Sequence, residues 1–170
     1  MDRHAALEKL LSSYEAYYQV NRDTPVKPYA AEAYFALHDE QYFLLRSAKI
    51  SEADSREYVF FFTCDSLTET QYQSLCEETW QEGLSRVQVG DNHRNSDIIL
   101  IILSDILDDA VKKSIKKTRR YKSYRMGLRG WSDFRVIAVE LSSGMPVYNP
   151  KGEILKKALR ILTKKNEAEC

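Results

Sequence analysis

The chain has 170 residues, of which 44% are hydrophobic and 29% charged, and its formal net charge is zero. Such a chain usually forms one globular domain that needs no disulfide or metal to fold. Its longest wholly aliphatic run, residues 98–103, is far shorter than the about 20 residues that span a membrane. We therefore expect no membrane partner. The charged N-terminal stretch, which lacks an apolar core, also predicts that there is no secretory signal.

The first third of the chain predicts one helix and a set of short strands. Apolar residues at helical spacing predict an N-terminal helix within residues 1–22, and Pro25 and Pro28 prevent its continuation. Aromatic and β-branched segments predict three strands, at residues 34–37, 42–50 and 57–63. Residues 34–45 leave two alternatives open, a hairpin or a helix, because their propensities allow both.

The rest of the chain predicts helices that alternate with strands. Ser66 and Glu69 have the spacing of a capping box and predict the start of a second helix. The run at 98–103 predicts a central strand covered on both faces, and Asp105, Asp108 and Asp109 predict the start of a third helix. A strand at 134–141 and a hairpin partner at 147–149 follow. The last predicted helix has five apolar stripe residues: Ile154, Leu155, Ala158, Ile161 and Leu162.

The predicted order is therefore α-β-β-β-α-β-α-β(β)-α. Consecutive strands followed by crossovers predict an α/β fold in which a mixed sheet of five or six strands is flanked by helices. We expect a single domain over residues 1–170, with its core at 30–163 and a frayed tail at 164–170. The sequence leaves the oligomeric state open.

Cysteines and histidines give no sign of a metal or a cofactor. Cys64, Cys76 and Cys170 are odd in number and lack the C-x-x-C spacing, which favours reduced thiols in a cytoplasmic protein. The three histidines are too scattered for a zinc site. We therefore expect no metal and no cofactor.

Two stretches resemble the sites of metal-dependent enzymes without reproducing them. The α-β-β-β-α-β opening resembles the core order of PD-(D/E)xK nucleases, but no lysine stands two residues after Glu57. Ser96 and Asp97 resemble the S-D-x-D strand of nucleotidyltransferases, in which two carboxylates bind one metal, but Ile99 replaces the second acid. His93 could belong to a triad, but there is no nucleophile elbow.

An enzyme is accordingly the second hypothesis. It would be a divergent Mg²⁺-dependent nuclease or nucleotidyltransferase-like protein with Glu57, His93 and Asp97 as site residues. Such an enzyme should bring at least two of its polar candidates into one cleft. The candidates are Asp39, Glu40, Glu57, His93, Asp97 and Glu140.

Basic residues are concentrated in the last third of the chain. Residues 1–110 hold 9 Lys/Arg and 20 Asp/Glu, whereas residues 111–170 hold 16 Lys/Arg and 5 Asp/Glu. Ten of these basic residues lie between positions 112 and 135, among several aromatic residues. Cationic and stacking side chains together are typical of nucleic-acid binders. An acidic protein surface and an ordinary solvated face are the two alternatives.

The leading hypothesis is therefore a non-catalytic binding module that uses residues 112–135. Helical spacing predicts that Lys113, Lys117, Arg120 and Tyr124 share one face. The predicted contact residues are Lys113, Lys116, Lys117, Arg119, Arg120, Tyr124, Arg125, Arg129 and Trp131.

Several segments together resemble one small family. They are "DEQYFLLRSAKI", "EYVFFFT", "GLSRV", "HRNSD", "YKSYRMGLRGWSDFRVIAVELSSG" and "VYN". The sequence resembles, over about residues 34 to 162, bacterial proteins described only as a domain of unknown function. The resemblance implies a cytoplasmic single-domain bacterial protein and implies no activity.

Overall fold

A computed structural model describes residues 1–37, 54–91 and 93–163. Within them a seven-stranded mixed sheet carries helices on both faces, which confirms the predicted α/β class. The helices are α1 (Arg3–Tyr14), α2 (Glu69–Arg86), α3 (Asp109–Lys117) and α4 (Arg160–Thr163), and short 3₁₀ helices span Arg125–Gly127 and Pro150–Lys156. The strands are β1 (Gln19–Asn21), β2 (Ala31–Leu37), β3 (Asp54–Leu67), β4 (His93–Leu107), β5 (Tyr121–Ser123), β6 (Trp131–Glu140) and β7 (Met145–Tyr148).

The sheet has the strand order β1-β2-β3-β4-β6-β5, and β7 pairs with the second half of β6. β1, β2 and β3 form an antiparallel meander. β3, β4 and β6 are parallel neighbours at the centre, because α2 and α3 each carry the chain back across the sheet. β5 and β7 both run antiparallel to β6.

The central strand lies where the sequence predicts it. Each of residues 98–103 is at most 1% exposed, since β4 has neighbours on both edges and helices on both faces. An apolar residue at every position, instead of an alternating pattern, is the consequence of burial on both faces. The prediction of a buried central strand is confirmed.

Two hydrophobic cores lie on opposite faces of the sheet. One core packs Tyr72 and Trp80 of α2 and Val111 of α3 against the face formed by Ile98, Leu100 and their neighbours. The other packs α1 and the segment 150–163 against the opposite face. Its contributors from these two elements include Leu7, Leu10, Leu11, Leu155, Leu159 and Leu162.

The N-terminal helix is shorter than predicted. It ends at Tyr14, and the chain then forms the edge strand β1, which the sequence pattern missed. The predicted strand at 34–37 is the end of β2, and the strand at 57–63 lies inside the longer β3. The strand predicted at 42–50 falls outside the described residues, as does most of the segment 34–45, for which the sequence allows a hairpin or a helix.

Two helix predictions need correction. The capping box of α2 is formed by Thr68 and Gln71, not by Ser66 and Glu69, because β3 continues to Leu67. The predicted last helix is a 3₁₀ helix followed by a single α-turn, so its buried apolar side chains are those of Leu155, Leu159 and Leu162. Ile154 is exposed because the tighter winding shifts the apolar face.

Candidate functional site: a basic groove and a row of carboxylates

A groove of about 570 Å³ lies between α2 and α3 and is open to solvent. α2 contributes its first half to one wall, and α3 with the three residues after it forms the other. We call it the basic groove. It is lined by Glu69, Gln73, Cys76, Ala110, Lys113, Ser114, Lys117, Thr118, Arg119 and Arg120.

The winding of α3 decides which of its cations line the basic groove. Val111 and Ile115 are fully buried against the sheet. Lys113 and Lys117, four residues apart, lie one above the other on the groove side. Lys112 lies away from the groove, with its Nζ 3.0 Å from a carboxylate oxygen of Glu140. The basic groove therefore receives two of the four lysines in α3.

The cations of the basic groove differ in how far they are neutralised. Arg120 is paired with Glu77 at 2.7 Å. Arg119 donates to the carbonyl oxygens of Lys116 (2.9 Å) and Thr118 (2.8 Å) at the end of α3. Lys113 and Lys117 have no carboxylate oxygen within 4.0 Å among the described residues. The groove therefore keeps a net positive charge.

The thiol in the basic groove is not a nucleophile. Cys76 is 1% exposed, and burial raises its pKa to about 11, although the hydroxyl of Tyr72 and the charge of Arg120 oppose the shift. A thiol with that pKa is protonated at neutral pH and inert. The chemistry that the groove offers is therefore charge and hydrogen bonding.

The remaining predicted contact residues follow the groove along the chain, but not on one helical face. α3 ends at Lys117, so Tyr124 cannot continue the face of Lys113 and Lys117, and that prediction is wrong. Tyr124 begins the loop of residues 124–130 that joins β5 to β6, here called the tip loop. Its hydroxyl lies 2.9 Å from the Ser132 hydroxyl, and its ring meets the ring of His93 edge-on.

The predicted residues of this region are unevenly accessible. Lys116 and Arg125 are exposed. Arg129 is partly buried and paired with Asp91, and Trp131 is partly buried at the start of β6. Tyr121, which was not among the predicted contacts, is 62% exposed on the edge strand β5. The accessible surface thus consists of the groove, Lys116, β5 and the tip loop.

A second constellation lies on the sheet face that α1 covers. Glu57, Asp97 and Asp133 occupy matching positions on the three parallel strands β3, β4 and β6. Side chains at matching positions point to the same face, so the three carboxylates form one row. The structure therefore brings together two of the predicted catalytic residues, Glu57 and Asp97, and adds Asp133.

Cationic and phenolic groups partly neutralise the carboxylate row. The Tyr18 hydroxyl donates to Glu57, Arg135 donates to Asp97 over 2.9 Å, and the Lys151 ammonium lies 3.4 Å from Asp133. Burial raises the pKa of Asp97, and Arg135 opposes that rise. Among the described residues, Oδ1 of Asp97 has no hydrogen-bond partner. Within the described ranges, no three His, Cys, Asp or Glu side chains are placed to hold a metal ion.

His93 does not join this row. Its Nδ1 lies 2.7 Å from the carbonyl oxygen of Arg129, which can only accept, so Nδ1 carries a proton. Its Nε2 lies 2.9 Å from the hydroxyl of Ser96, a fully buried side chain on the opposite sheet face from Asp97. Glu140 lies at the other end of β6 from the row. The remaining candidates, Asp39 and Glu40, fall outside the described residues.

The sequence contains a pattern that points to the site residues which the predictions above do not include. Asp133 belongs to the row because Ser132-Asp133 near the start of β6 matches Ser96-Asp97 on β4, and Arg135, two residues further on, pairs with Asp97. This repeated Ser-Asp pair at the start of two parallel strands could have been noticed. The contribution of α2 to the basic groove has no comparable signal, because it depends on how the two helices pack.

These features define an α/β protein with a cationic groove on one sheet face and a partly neutralised carboxylate row on the other. No helix in the described part of the chain is long and apolar enough to span a membrane. The sequence matches the family described as Domain of unknown function (DUF8052) over residues 2–161, and the chain belongs to that family. No curated protein and no solved structure matches it.

Proposed function

We propose that this protein is a non-catalytic binding module that takes the phosphate backbone of a nucleic acid in the basic groove. The observation that carries the proposal is the pair Lys113 and Lys117. Both side chains line one concave surface, and neither has a carboxylate partner among the described residues. Unpaired cations facing a cleft concentrate anions there and accept phosphates at little cost, since no existing ion pair has to break.

The shape of the site favours a nucleic acid over an acidic protein surface. A phosphate backbone is a narrow chain of charges that can follow a groove, and nucleic-acid channels are built in this way. Exposed cations also follow the groove along the chain, at Lys116, Lys122 and Arg125. An extended ligand with repeated charges fits this arrangement better than one compact anion.

The proposal includes the cytoplasm of a bacterium as the protein's location. Cys64 and Cys76 are free thiols, and Cys76 is packed in the core. Free thiols are typical of proteins in reducing compartments. Cell fractionation with an antibody to the protein tests this part of the proposal, and recovery outside the cytoplasm would contradict it.

The binding experiment uses fluorescence anisotropy with mixed-sequence oligonucleotides, single-stranded and double-stranded, between about 50 and 200 mM salt. We expect affinity to fall steeply with salt, because each neutralised phosphate releases counterion. Replacing Lys113 and Lys117 by Ser should weaken binding and lower the magnitude of the salt slope by about 2 on duplex DNA. Melting temperature should change little, as is usual for exposed positions.

A matched control removes two exposed lysines elsewhere, Lys9→Ser with Lys157→Ser. This variant has the same net charge as the groove variant and should bind normally. Absence of binding at low salt, or an equal loss in both variants, would contradict the proposal. If an acidic peptide such as polyglutamate bound more tightly than any oligonucleotide, the partner would be a protein.

A metal-dependent enzyme is the second candidate, because Glu57 and Asp97 do lie at matching positions on neighbouring strands. The pairing of Asp97 with Arg135 argues against it, since a metal would have to displace that cation. We expect no cleavage of DNA or RNA by the purified protein with Mg²⁺ or Mn²⁺. Cleavage that disappears in both Glu57→Gln and Asp97→Asn would establish the enzyme instead.

A further inference from the structure

The tip loop presents two large apolar side chains to solvent. Met126 is 97% exposed and Leu128 is 86% exposed, more than any other large hydrophobic side chain in the described residues. Single exposed hydrophobic residues are common on protein surfaces. Two such residues at the apex of one seven-residue loop form an exposed apolar projection. Its contact with water is unfavourable, and a partner could bury it.

The tip loop has a defined and unusual backbone conformation. Arg125 and Met126 have φ values of 47° and 55°, and Gly127 follows at 88°. Successive residues without glycine rarely adopt this left-handed region, and such strain persists only where surrounding structure imposes it. Hydrogen bonds within the loop impose it here: the amides of Gly127 and Arg129 both donate to the carbonyl oxygen of Tyr124.

The base of the tip loop is fixed to the sheet. The ring of His93 bonds the carbonyl oxygen of Arg129, and the Tyr124 hydroxyl bonds Ser132. Gly130 lies so close to the backbone of Arg94 that a Cβ on it would be 1.8 Å from the Arg94 carbonyl oxygen. A loop held at its base and along its backbone keeps its apex projecting, and it loses little conformational freedom on binding.

The apolar apex is flanked by cations and adjoins the basic groove. In the order Arg125-Met126-Gly127-Leu128-Arg129, an arginine stands on each side of the two apolar residues; Arg125 is exposed, and Arg129 is paired with Asp91. β5, with Lys122, connects this apex to Arg119 and Arg120 of the groove. A backbone bound in the groove and followed along β5 would therefore arrive at the apex.

We propose that Met126 and Leu128 form an apolar wedge that enters the minor groove of double-stranded DNA and partly unstacks one base step. This inference rests on the proposed function and makes the ligand a duplex that the protein bends. Proteins that kink DNA from the minor groove combine inserted Met or Leu side chains with arginines beside them. The tip loop supplies both, on a rigid support beside a phosphate-binding surface.

The wedge adds a contribution to the free energy of binding that does not depend on salt concentration. Lys113 and Lys117 contribute through counterion release, so their loss changes the salt slope. Met126 and Leu128 carry no charge, so their loss should weaken duplex binding while leaving that slope unchanged. This difference separates the wedge from the basic groove in one set of titrations.

The test measures both affinity and bending. A short duplex with a flexible TA step at its centre and a dye at each end reports bending as increased energy transfer. We expect the unaltered protein to bend this duplex. Met126→Ser with Leu128→Ser should lower duplex affinity by about tenfold and remove the bend. Single-strand affinity and the salt slope should not change.

The control variant is Met145→Ser with Ile154→Ser, which removes two side chains that are 61% and 59% exposed elsewhere. It should bind and bend the duplex normally. Normal duplex binding without a bend, or a bend that survives loss of Met126 and Leu128, would overturn the wedge and leave the basic groove intact. Absence of binding to any oligonucleotide would overturn the proposed function, and the wedge with it.

Two other partners for the apex are outcomes of the same test. Binding to vesicles of phosphatidylglycerol that requires Met126 and Leu128, together with an unbent duplex, would assign the apex to an anionic bilayer and overturn the wedge. Self-association that the double Ser variant abolishes, again with an unbent duplex, would assign it to a second copy of the chain.

Discussion

Arg135 donates a hydrogen bond to Asp97 over 2.9 Å, from a position two residues beyond the one that matches Asp97 on the neighbouring strand. The Asp97 side chain is 6% exposed and that of Arg135 is 20% exposed, so the ion pair is largely removed from water. Removing one partner of a buried pair leaves a charge without compensation, which costs far more than the intact pair contributes.

Arg135→Met should therefore lower the free energy of unfolding by about 3–5 kcal/mol in chemical denaturation at neutral pH. The deficit should shrink in acid. The pKa of Asp97 is already raised by burial and will rise further without Arg135, so protonation relieves the unpaired charge as pH falls below the folded pKa. Lys151→Met is the control, because that side chain is 58% exposed and should contribute less than about 1 kcal/mol. Unchanged stability of Arg135→Met would contradict the prediction.

Glu140 should stabilise the fold above its unfolded pKa and lose that effect in acid. Its carboxylate accepts from the Ser143 hydroxyl, the Leu107 amide and Lys112, and these contacts hold its pKa below the usual value. Glu140→Gln should cost about 1–3 kcal/mol at pH 7. The difference from wild type should disappear as pH falls from about 4.3 through the lowered folded pKa. Glu153→Gln, at an exposed position, should change nothing at either pH.

The centre of β4 should be intolerant of truncation. Leu100 is fully buried, so Leu100→Ala should cost about 2–5 kcal/mol through lost burial and the cavity that remains. Leu100→Asp should give no soluble folded protein. Ile106→Ala tests the same strand at a side chain that is 56% exposed, and its effect should stay within about 0.5 kcal/mol. Equal losses in the free energy of unfolding for Leu100→Ala and Ile106→Ala, measured by urea denaturation, would show that burial does not determine the cost of truncation.

The two glycines of the tip loop should respond differently to alanine. Gly127 and Gly130 both have positive φ values, 88° and 79°, but a Cβ at Gly127 would meet no atom within 4 Å. Gly127→Ala should therefore cost only the backbone strain, about 1 kcal/mol. Gly130→Ala adds a clash with the Arg94 backbone and should cost at least about 3 kcal/mol or displace the loop. Similar denaturation midpoints for the two variants would refute the close approach of Gly130 to the Arg94 backbone.

Much of the fold can be predicted from the sequence because the central elements have strong local patterns. The run at 98–103 and the aromatic segment at 57–63 identify buried strands without any knowledge of their neighbours. β1 and β5 have three residues each, too few for a period to be visible. The sequence predicts the last helix wrongly, because its apolar spacing follows the α-helical period whereas the chain winds as a 3₁₀ helix.

The candidate site also has a part that the sequence predicts and a part that it does not. Composition alone identifies the cations of α3, but Lys112 faces Glu140 while Lys113 faces the groove, and only the packing of α3 separates them. The carboxylate row depends on β3, β4 and β6 being neighbours in register. A single sequence does not determine which strands are adjacent, so the repeated Ser-Asp pair marks Asp97 and Asp133 as candidates but does not place them side by side.

The shared packing of α1 and the segment 150–163 has a consequence for how the protein matures. Leu10 and Leu11 lie in the same core as Leu159 and Leu162, although about 150 residues separate them in the chain. During synthesis, one face of the sheet can already receive α2 and α3 while the other still lacks its last apolar residues. That second face stays partly bare until residues 155–162 have left the ribosome, and bringing such distant segments together makes its assembly the slow step. A nascent chain stalled before residue 155 would therefore be a substrate for chaperones.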